Sequence, residues 1–472
     1  MTIMPFFSGR SGRFETFEHV FSGQKGRQFA VTDCVSLYPS QSRQLYPEGK
    51  YEIITDLNFL NTVVFDPQKK EHYLGKSKMI GLASVSILTP ADTKIPLFGI
   101  KLKDKYVYGN CAACIKKRNR KPCRHGPKNR SIIGTLCWNE LNYAVSLGYI
   151  ITQIFECYQY KSEFPLFENF FYLLSQEKIR YSVPDLKQQS MQDFIDQINN
   201  GMNYPGEILL KPKDITPHTI KRNHCKQDLN MIFGKLSQHN MRNMPIVIKS
   251  QTELESVDFQ AIEDVFALDK ACLLVSKNKS KSTKHNRRAN SIIYSYVLAY
   301  SRIHMYKTMF QLEAKSACIY QIANDCLYFS HPANQSCFDA LDIGPCFGQF
   351  RDEFPNKTIY YFVSFGSKSC ALRMSDSEGH ETQIVKARGF SLKTITAERI
   401  IQNFDFKNAF NQALNGKRTA IKVPHLRKRK NVSQMSVEQV LMMFQFSNHI
   451  AETRVIFCDG TSAPYGYYKE IN

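Results

Sequence analysis

The sequence predicts an α+β fold. Strand-like apolar runs recur in distant parts of the chain, segments of helical length and pattern fall between them, and turn residues punctuate both kinds. No internal repeat or low-complexity segment competes with that reading.

Residues 27–66 read as β structure, short apolar runs broken by "YPSQS" and "YPEGK". Strand-like "MIGLASVSIL" and "KYVYGN" continue through residues 80–110, and a basic, cysteine-rich stretch fills 111–130. "WNELNYAVSLGYIITQIFECYQY" predicts a helix, a glycine turn at Gly148 and a strand. Two helices follow: "MQDFIDQINNGM", and one that opens with Thr216 as N-cap and Pro217 at its first position. "NMPIVIKS" and "DKACLLVSK" read as strands and "SKNKSKSTKHNRR" as an exposed loop. "ANSIIYSYVLAYSRIHMYKTMFQL" has the length and apolarity of a buried helix, "CIYQIANDCLYFS" reads as a hairpin, and "KTIYYFVSF" and "CALRM" as two further strands. The last eighty residues are mixed in character.

The chain has 472 residues, room for two or three domains or one large divided body. Lys and Arg number 62 against 42 acidic residues, a net charge of +20 that favours phosphate backbones or anionic surfaces as partners. No uncharged apolar run reaches the roughly 18 residues a bilayer span needs, and the N-terminus lacks the apolar core of a secretory signal. Fourteen cysteines, mostly scattered singly, suit a reducing compartment better than a disulfide framework. These features favour an intracellular nucleic-acid or nucleotide protein over a secreted or membrane one.

Three stretches carry the chemistry. In "FAVTDCVSLYPSQ" an apolar run ends at Asp33, and in "IANDCLYF" a tight Asn324-Asp325 turn joins two apolar arms. Two strand-borne carboxylates suit a pair of Mg²⁺ ions about 3.5–4 Å apart, with oxygen ligands at about 2.0–2.1 Å. Each aspartate alone is equally well a strand end or a structural turn. In "TPHTIKRNHCKQDLNMIFGKLSQ", Arg222, Lys226, Asn230 and Gly234 recur every four residues along one helical stripe. Two cations and an amide there could grip a triphosphate, and the glycine permits close approach; the plain alternative is a solvated basic face.

In order, "DCVSLYPS", "KQDLNMIFG" and "IANDCLYF" resemble the DxxSLYPS, KxxxNSxYG and YxDTDS motifs of family B DNA polymerases, most closely the protein-primed branch of linear phages, adenoviruses and Polinton/Maverick transposons. "FFSGR" (Phe6–Arg10) resembles that branch's aromatic-x-Gly-Gly element, and "FVSFGSKSCALRM" its KxY segment, followed by "VKARGFSLK". "WNELNYAVSLGYIITQIFECYQY" and "SAPYGY" resemble the transposon-type members. The resemblance implies a right-hand body of palm, fingers and thumb. Asp33 and Asp325 become the ligands of two catalytic Mg²⁺. Val35, Ser36 and Leu37 lie beside the metal and triphosphate, and Tyr38 forms the floor under the sugar. Arg222 and Lys226 neutralise the triphosphate, Asn230 and Gly234 line the nascent base pair, and Phe7, Gly9, Arg10, Lys368 and Arg388 contact DNA.

The sequence departs from the family pattern at Ala323, which replaces the first aspartate of DTD, and at Asn324, Cys326, Met231 and Cys370. Loss of a supporting carboxylate typically costs about 10–100-fold, so weakened activity is expected, with a catalytically degenerate DNA-binding copy as the alternative. The family's proofreading domain lies ahead of the aromatic-x-Gly-Gly element, so editing is not expected of this sequence.

"CAACIKKRNRKPCRH" supplies Cys111, Cys114, Cys123 and His125 as CxxC-x8-CxH, four soft ligands of the kind tetrahedral Zn²⁺ takes, or else a reduced loop without metal. A zinc-dependent nucleic-acid-binding or nuclease protein is the rival that this segment motivates. The basic run His425–Lys430 reads as a nuclear address in a eukaryotic host, a duplex contact, or a solvated run. The expected partition is palm at 1–66 and 241–395, zinc-bearing insertion at 67–178, fingers at 179–240 and thumb at 396–472. The expected partners are template-primer DNA, deoxynucleoside triphosphates and, for this branch, a priming protein.

Overall fold

The computed structural model describes residues 12–102, 105–184, 186, 190–204, 209–237, 244–248, 250, 252–253, 262–269, 272–277, 290–366, 369–386, 404–415, 417, 420–431, 436–447, 450 and 452–467. The strands within 244–277 and within 420–447 are described by their backbone. The expected loop "SKNKSKSTKHNRR" lies almost wholly outside these residues.

A nine-stranded sheet is assembled from both ends of the chain, as the dispersed strand signals imply. Its strands are β1 (Phe14–Thr16), β2 (Val20–Ser22), β3 (Arg27–Cys34), β4 (Cys318–Ala323), β5 (Cys326–Pro332), β6 (Phe350–Asp352), β7 (Thr358–Gly366), β8 (Ser369–Ser375) and β9 (Glu381–Lys386). The order is β1-β4-β5-β3-β7-β8-β9, with β2 paired to β7 and β6 to β3. Every one of these pairings is antiparallel. Successive residues Val31 and Thr32 in β3 and Leu327, Tyr328 and Phe329 in β5 are all sealed from water, so both faces of the sheet are covered at its centre.

The long apolar segment forms the helix Ser291–Ala314, capped by the Asn290 side chain, which accepts from the N–H groups of Ile292 and Ile293. It is apolar on most of its circumference because it is wedged between two sheets. On one side Met305, Met309 and Leu312 pack with Ile322 and Leu327 of the nine-stranded sheet and with Leu37 just beyond β3. On the other it meets a four-stranded sheet ordered Ile132–Cys137, Gly81–Leu88, Ile150–Gln159, Glu52–Ile54. There Tyr296 accepts the Gly81 N–H at 2.7 Å, and the buried Arg302 guanidinium pairs with both oxygens of Glu140.

Two helices pack together beyond the end of β3. The helix Glu168–Arg180, which the sequence pattern does not reveal, lies against Thr219–Leu236. The second begins later than expected. Thr216 and Pro217 are not its N-cap and first turn; His218 caps it, accepting from the Lys221 N–H. The Thr216 and His218 amides instead donate to the carbonyls of Arg180 and Tyr181, so this segment runs alongside the end of the Glu168–Arg180 helix. Smaller sheets include a three-stranded one (Met244–Ile248, Cys272–Lys277, Ile262–Asp269) and a two-stranded ribbon (Ala420–Asn431 with Ser436–Ser447). The run His425–Lys430 lies within that ribbon's first strand.

Candidate active site

The site forms where β3 and the β4–β5 turn end together. Asp33 is the penultimate residue of β3 and pairs with Cys326 of β5. The Cys34 N–H donates to the Asp325 carbonyl at 2.8 Å. Asn324 takes a left-handed conformation (φ 67), and the Asp325 N–H returns to Ala323. This is the tight Asn-Asp turn that the sequence predicts.

Burial, with the Asp325 and Glu353 charges next in weight, pushes the Asp33 carboxyl up to about 6. Asp325 is raised too, chiefly by burial. A third strand contributes to the same place. Arg351 in β6 pairs with Asp33, and its guanidinium lies 3.3 Å from both Asp33 and Glu353. Arg351 and Glu353 escape sequence reasoning, because "QFRDEF" has no period and carries no motif. Three partly buried carboxylates, the Glu353 charge disfavouring ionisation of both Asp33 and Asp325, are an oxygen-rich donor set suited to hard dications.

The backbone after Asp33 turns sharply. Val35 exchanges hydrogen bonds with Gln349 and Gly348, and Ser36 adopts the left-handed region (φ 54) ahead of a short turn of helix. Leu37 is buried beneath, and Tyr38 donates its hydroxyl to the Asn324 side chain. Lys178, 7% exposed, lies over the Phe347 ring at 4.2 Å and donates to the Ser36 hydroxyl at 2.8 Å. Burial and the Arg222, Lys226 and Arg351 charges lower its amine to about 7. Lys226 also acts on Asp325. Lys178 and Arg351 thus contact Ser36 and Asp33 directly, while the Arg222 charge acts on Lys178 and the Lys226 charge on both Lys178 and Asp325.

Arg222 is steadied by the Ser182 hydroxyl at 3.1 Å. Asn230 donates to the Lys226 carbonyl one turn back, and a Cβ added at Gly234 meets nothing within 4 Å, so Gly234 faces open space. Phe7, Gly9, Arg10, Lys368 and Arg388 lie outside the described residues. Gly12, in the second of two successive Ser-Gly-Arg triplets, was missed. A Cβ there would stand 1.6 Å from Asn324 Oδ1 and 2.7 Å from the Tyr38 hydroxyl. The repeated triplet was the available signal.

Cys111, Cys114, Cys123 and His125 also converge, their ligand atoms all within 4.8 Å of one another.

Residues 10–196 match the family model described as DNA polymerase type B, organellar and viral. No curated protein sequence matches the chain. Among solved structures, phi29 DNA polymerase bound to primer-template DNA, a post-translocation binary complex, aligns at a TM-score of 0.50 and 14% identity over 94% of this chain and 62% of its own. Its ternary complex with primer-template DNA and incoming nucleotide substrates aligns at 0.52 and 11% over 93% and 61%. The fold is that of phi29 DNA polymerase. The chain spans about three fifths of those structures' length. Among the described residues, no helix is long and apolar enough to cross a membrane.

Proposed function

We propose that the chain is a DNA-directed DNA polymerase of the protein-primed family B type, adding deoxynucleotides to a 3′-hydroxyl with release of pyrophosphate. The observation that carries this reading is the convergence of Asp33 at the end of β3 with Asp325 in the adjoining β4–β5 turn, with Arg351 paired to Asp33 and the Lys226 charge acting on Asp325. Carboxylates beside a cluster of cations are what phosphoryl transfer requires, since positioning and charge neutralisation do most of that catalysis. The motif order and the family match over residues 10–196 support the same reading. Within the branch, "WNELNYAVSLGYIITQIFECYQY" and "SAPYGY" favour the transposon-type members.

Asp33 and Asp325 would hold two Mg²⁺, with Glu353 as a neighbouring third carboxylate. When bound, such ions polarise the attacking hydroxyl and neutralise the triphosphate. Arg222, Lys226 and Lys178 bind the phosphates, and Lys178 regains its full charge as it does so. Tyr38, its hydroxyl fixed by Asn324, forms a rigid floor under the sugar and disfavours a 2′-hydroxyl. In this reading the nine-stranded sheet is the palm, the paired helices the fingers and the four-stranded region the insertion. Template-primer DNA, nucleoside triphosphates and a priming protein are the partners.

The alternative, a degenerate polymerase that only binds DNA, is motivated by Ala323 at the head of the hairpin. Primer extension by the purified chain separates the two. We expect Mg²⁺-dependent extension that Asp325→Asn lowers by more than about 100-fold, beyond the usual cost of losing a supporting group. Equal incorporation by both proteins overturns the assignment of the site. Tight DNA binding without any extension selects the degenerate copy.

A further inference from the structure

We propose that Cys111, Cys114, Cys123 and Nδ1 of His125 hold one Zn²⁺ as a structural staple, and that what it fastens is the C-terminal segment 452–467. This reading is independent of nucleotidyl transfer. Nδ1 of His125 lies 3.5 Å from the Cys111 sulfur, 3.4 Å from that of Cys114 and 3.6 Å from that of Cys123. A tetrahedron with Zn–S bonds of about 2.3 Å and a Zn–N bond of about 2.0–2.1 Å has S···N edges of roughly 3.5 Å. The surroundings also suit thiolates. The Cys114 N–H donates to the Cys111 sulfur at 3.4 Å and Asn119 Nδ2 to the Cys114 sulfur at 3.5 Å, outer-shell contacts of the kind that orient metal ligands. All three cysteines are free and buried.

The cluster sits where the chain returns from its far end. Asn110, next to the first ligand, donates its N–H to the Tyr465 carbonyl at 2.8 Å, and Gly109 bridges to Tyr465. Gly466 (φ +90) lies so close that an added Cβ would stand 2.4 Å from the Cys111 Cβ. Arg118 and Arg120, in the loop between the second and third ligands, pair with Glu452. From this anchor the segment crosses to the edge of the large sheet. Arg454 pairs with the buried Glu15 in β1 at 2.9 Å, Ser462 donates to the Phe17 carbonyl, and the His19 N–H reaches Gly460 at 2.9 Å. β1 in turn pairs with β4, placing Phe14 opposite Ala323, and the Arg13 carbonyl accepts the Asn324 N–H. A continuous line of contacts therefore runs from the cysteine cluster to the acidic turn.

The full chain, purified under reducing conditions, tests this by elemental analysis, cobalt substitution and hydrogen exchange. We expect one zinc per chain and, with cobalt, the intense visible absorption of tetrahedral thiolate ligation. Chelation should speed exchange at Asn110 and across 452–467 by about tenfold or more, reversibly on return of zinc, and leave the β7–β8 pair unchanged. Cys123→Ser should do the same. If that variant does not fold, Gly466→Ala serves, since it keeps all four ligands: we expect retained zinc with faster C-terminal exchange. A chain without zinc or cobalt absorption overturns the site. Bound zinc whose removal leaves 452–467 protected overturns the staple. None of these readouts needs polymerase activity, so either proposal can fail without the other.

Discussion

Asp33, near the end of β3, and Asp325, in the turn that leads into the neighbouring antiparallel β5, are locked together by the 2.8 Å bond from the Cys34 N–H to the Asp325 carbonyl. Their side chains emerge where burial already disfavours charge, and the Asp325 charge makes ionisation of Asp33 harder still.

A pH dependence follows. The Asp33 carboxyl is raised to about 6, above the unfolded value of about 3.9. Its contribution to stability is therefore fully present below the unfolded value and lost as pH rises through about 6. Without divalent metal, melting temperature should fall across that window. Mg²⁺ should raise it more at pH 7.5 than at pH 5, because protons compete with the ion for the same oxygens. Thermal melts with and without Mg²⁺, repeated on Asp33→Asn, check this. An equal Mg²⁺ increment at both pH values would show that these carboxylates do not form the metal site.

Restoring the missing carboxylate gives a second test. Paired residues in an antiparallel ladder share a face. Asp33 pairs with Cys326 and Cys326 with Ala323, so the Ala323 side chain points to the face that carries Asp33. We expect Ala323→Asp to raise the extension rate several-fold and to lower the Mg²⁺ concentration needed, at some cost in metal-free stability. Steady-state extension across a Mg²⁺ titration measures this. A rate unchanged or reduced would count against the alignment of this hairpin.

The two aspartates, the long helix and the hairpin were legible because each obeys a local rule: an apolar run with a turn behind it, sustained apolarity, an Asn-Asp pair between strands. The helix Glu168–Arg180 was not. Leu173 on it is 58% exposed while Lys178 is 7% exposed, so its apolar stripe is broken where a cation turns inward. Such local violations are expected at functional positions. The start of Thr219–Leu236 was misread for a different reason: the Thr216 and His218 amides are used by the end of another helix, a tertiary bond that no local signal encodes. Arg351 and Glu353 reach the site through strand pairing alone.

Lys178 carries a desolvation cost that nucleotide binding should relieve. Its amine is lowered to about 7 by burial and by three neighbouring cations. The contribution of such a lowered group to stability is present above the unfolded value and lost as pH falls through about 7. Lys178→Met keeps the packing on Phe347 and removes the charge. We expect a higher melting temperature for the nucleotide-free protein, with the largest gain below pH 7, and nucleotide affinity lowered about tenfold or more. Calorimetric titration with a non-hydrolysable triphosphate reads the affinity. Unchanged binding would remove Lys178 from the triphosphate cradle.

Gly12 makes the most local prediction. A methyl group at this position overlaps Asn324 Oδ1 and crowds the Tyr38 hydroxyl, the two atoms whose hydrogen bond fixes the floor beside the acidic turn. Asn324 is held at its backbone by the N–H bond to the Arg13 carbonyl and at its side chain by the Tyr38 hydroxyl, and Tyr38 sits in the short helical turn after Asp33. Gly12→Ala should therefore cost about 1–3 kcal/mol of stability, as overpacking usually does. It should also slow extension and weaken discrimination against ribonucleotides, because the Tyr38 ring is displaced. Gly134→Ala is the matched control, since a Cβ there meets nothing within 4 Å. Competition between ribo- and deoxynucleotides, followed in both variants, distinguishes a displaced sugar floor from general destabilisation. Discrimination that stays intact in Gly12→Ala would mean that Tyr38 does not form the surface on which the sugar rests.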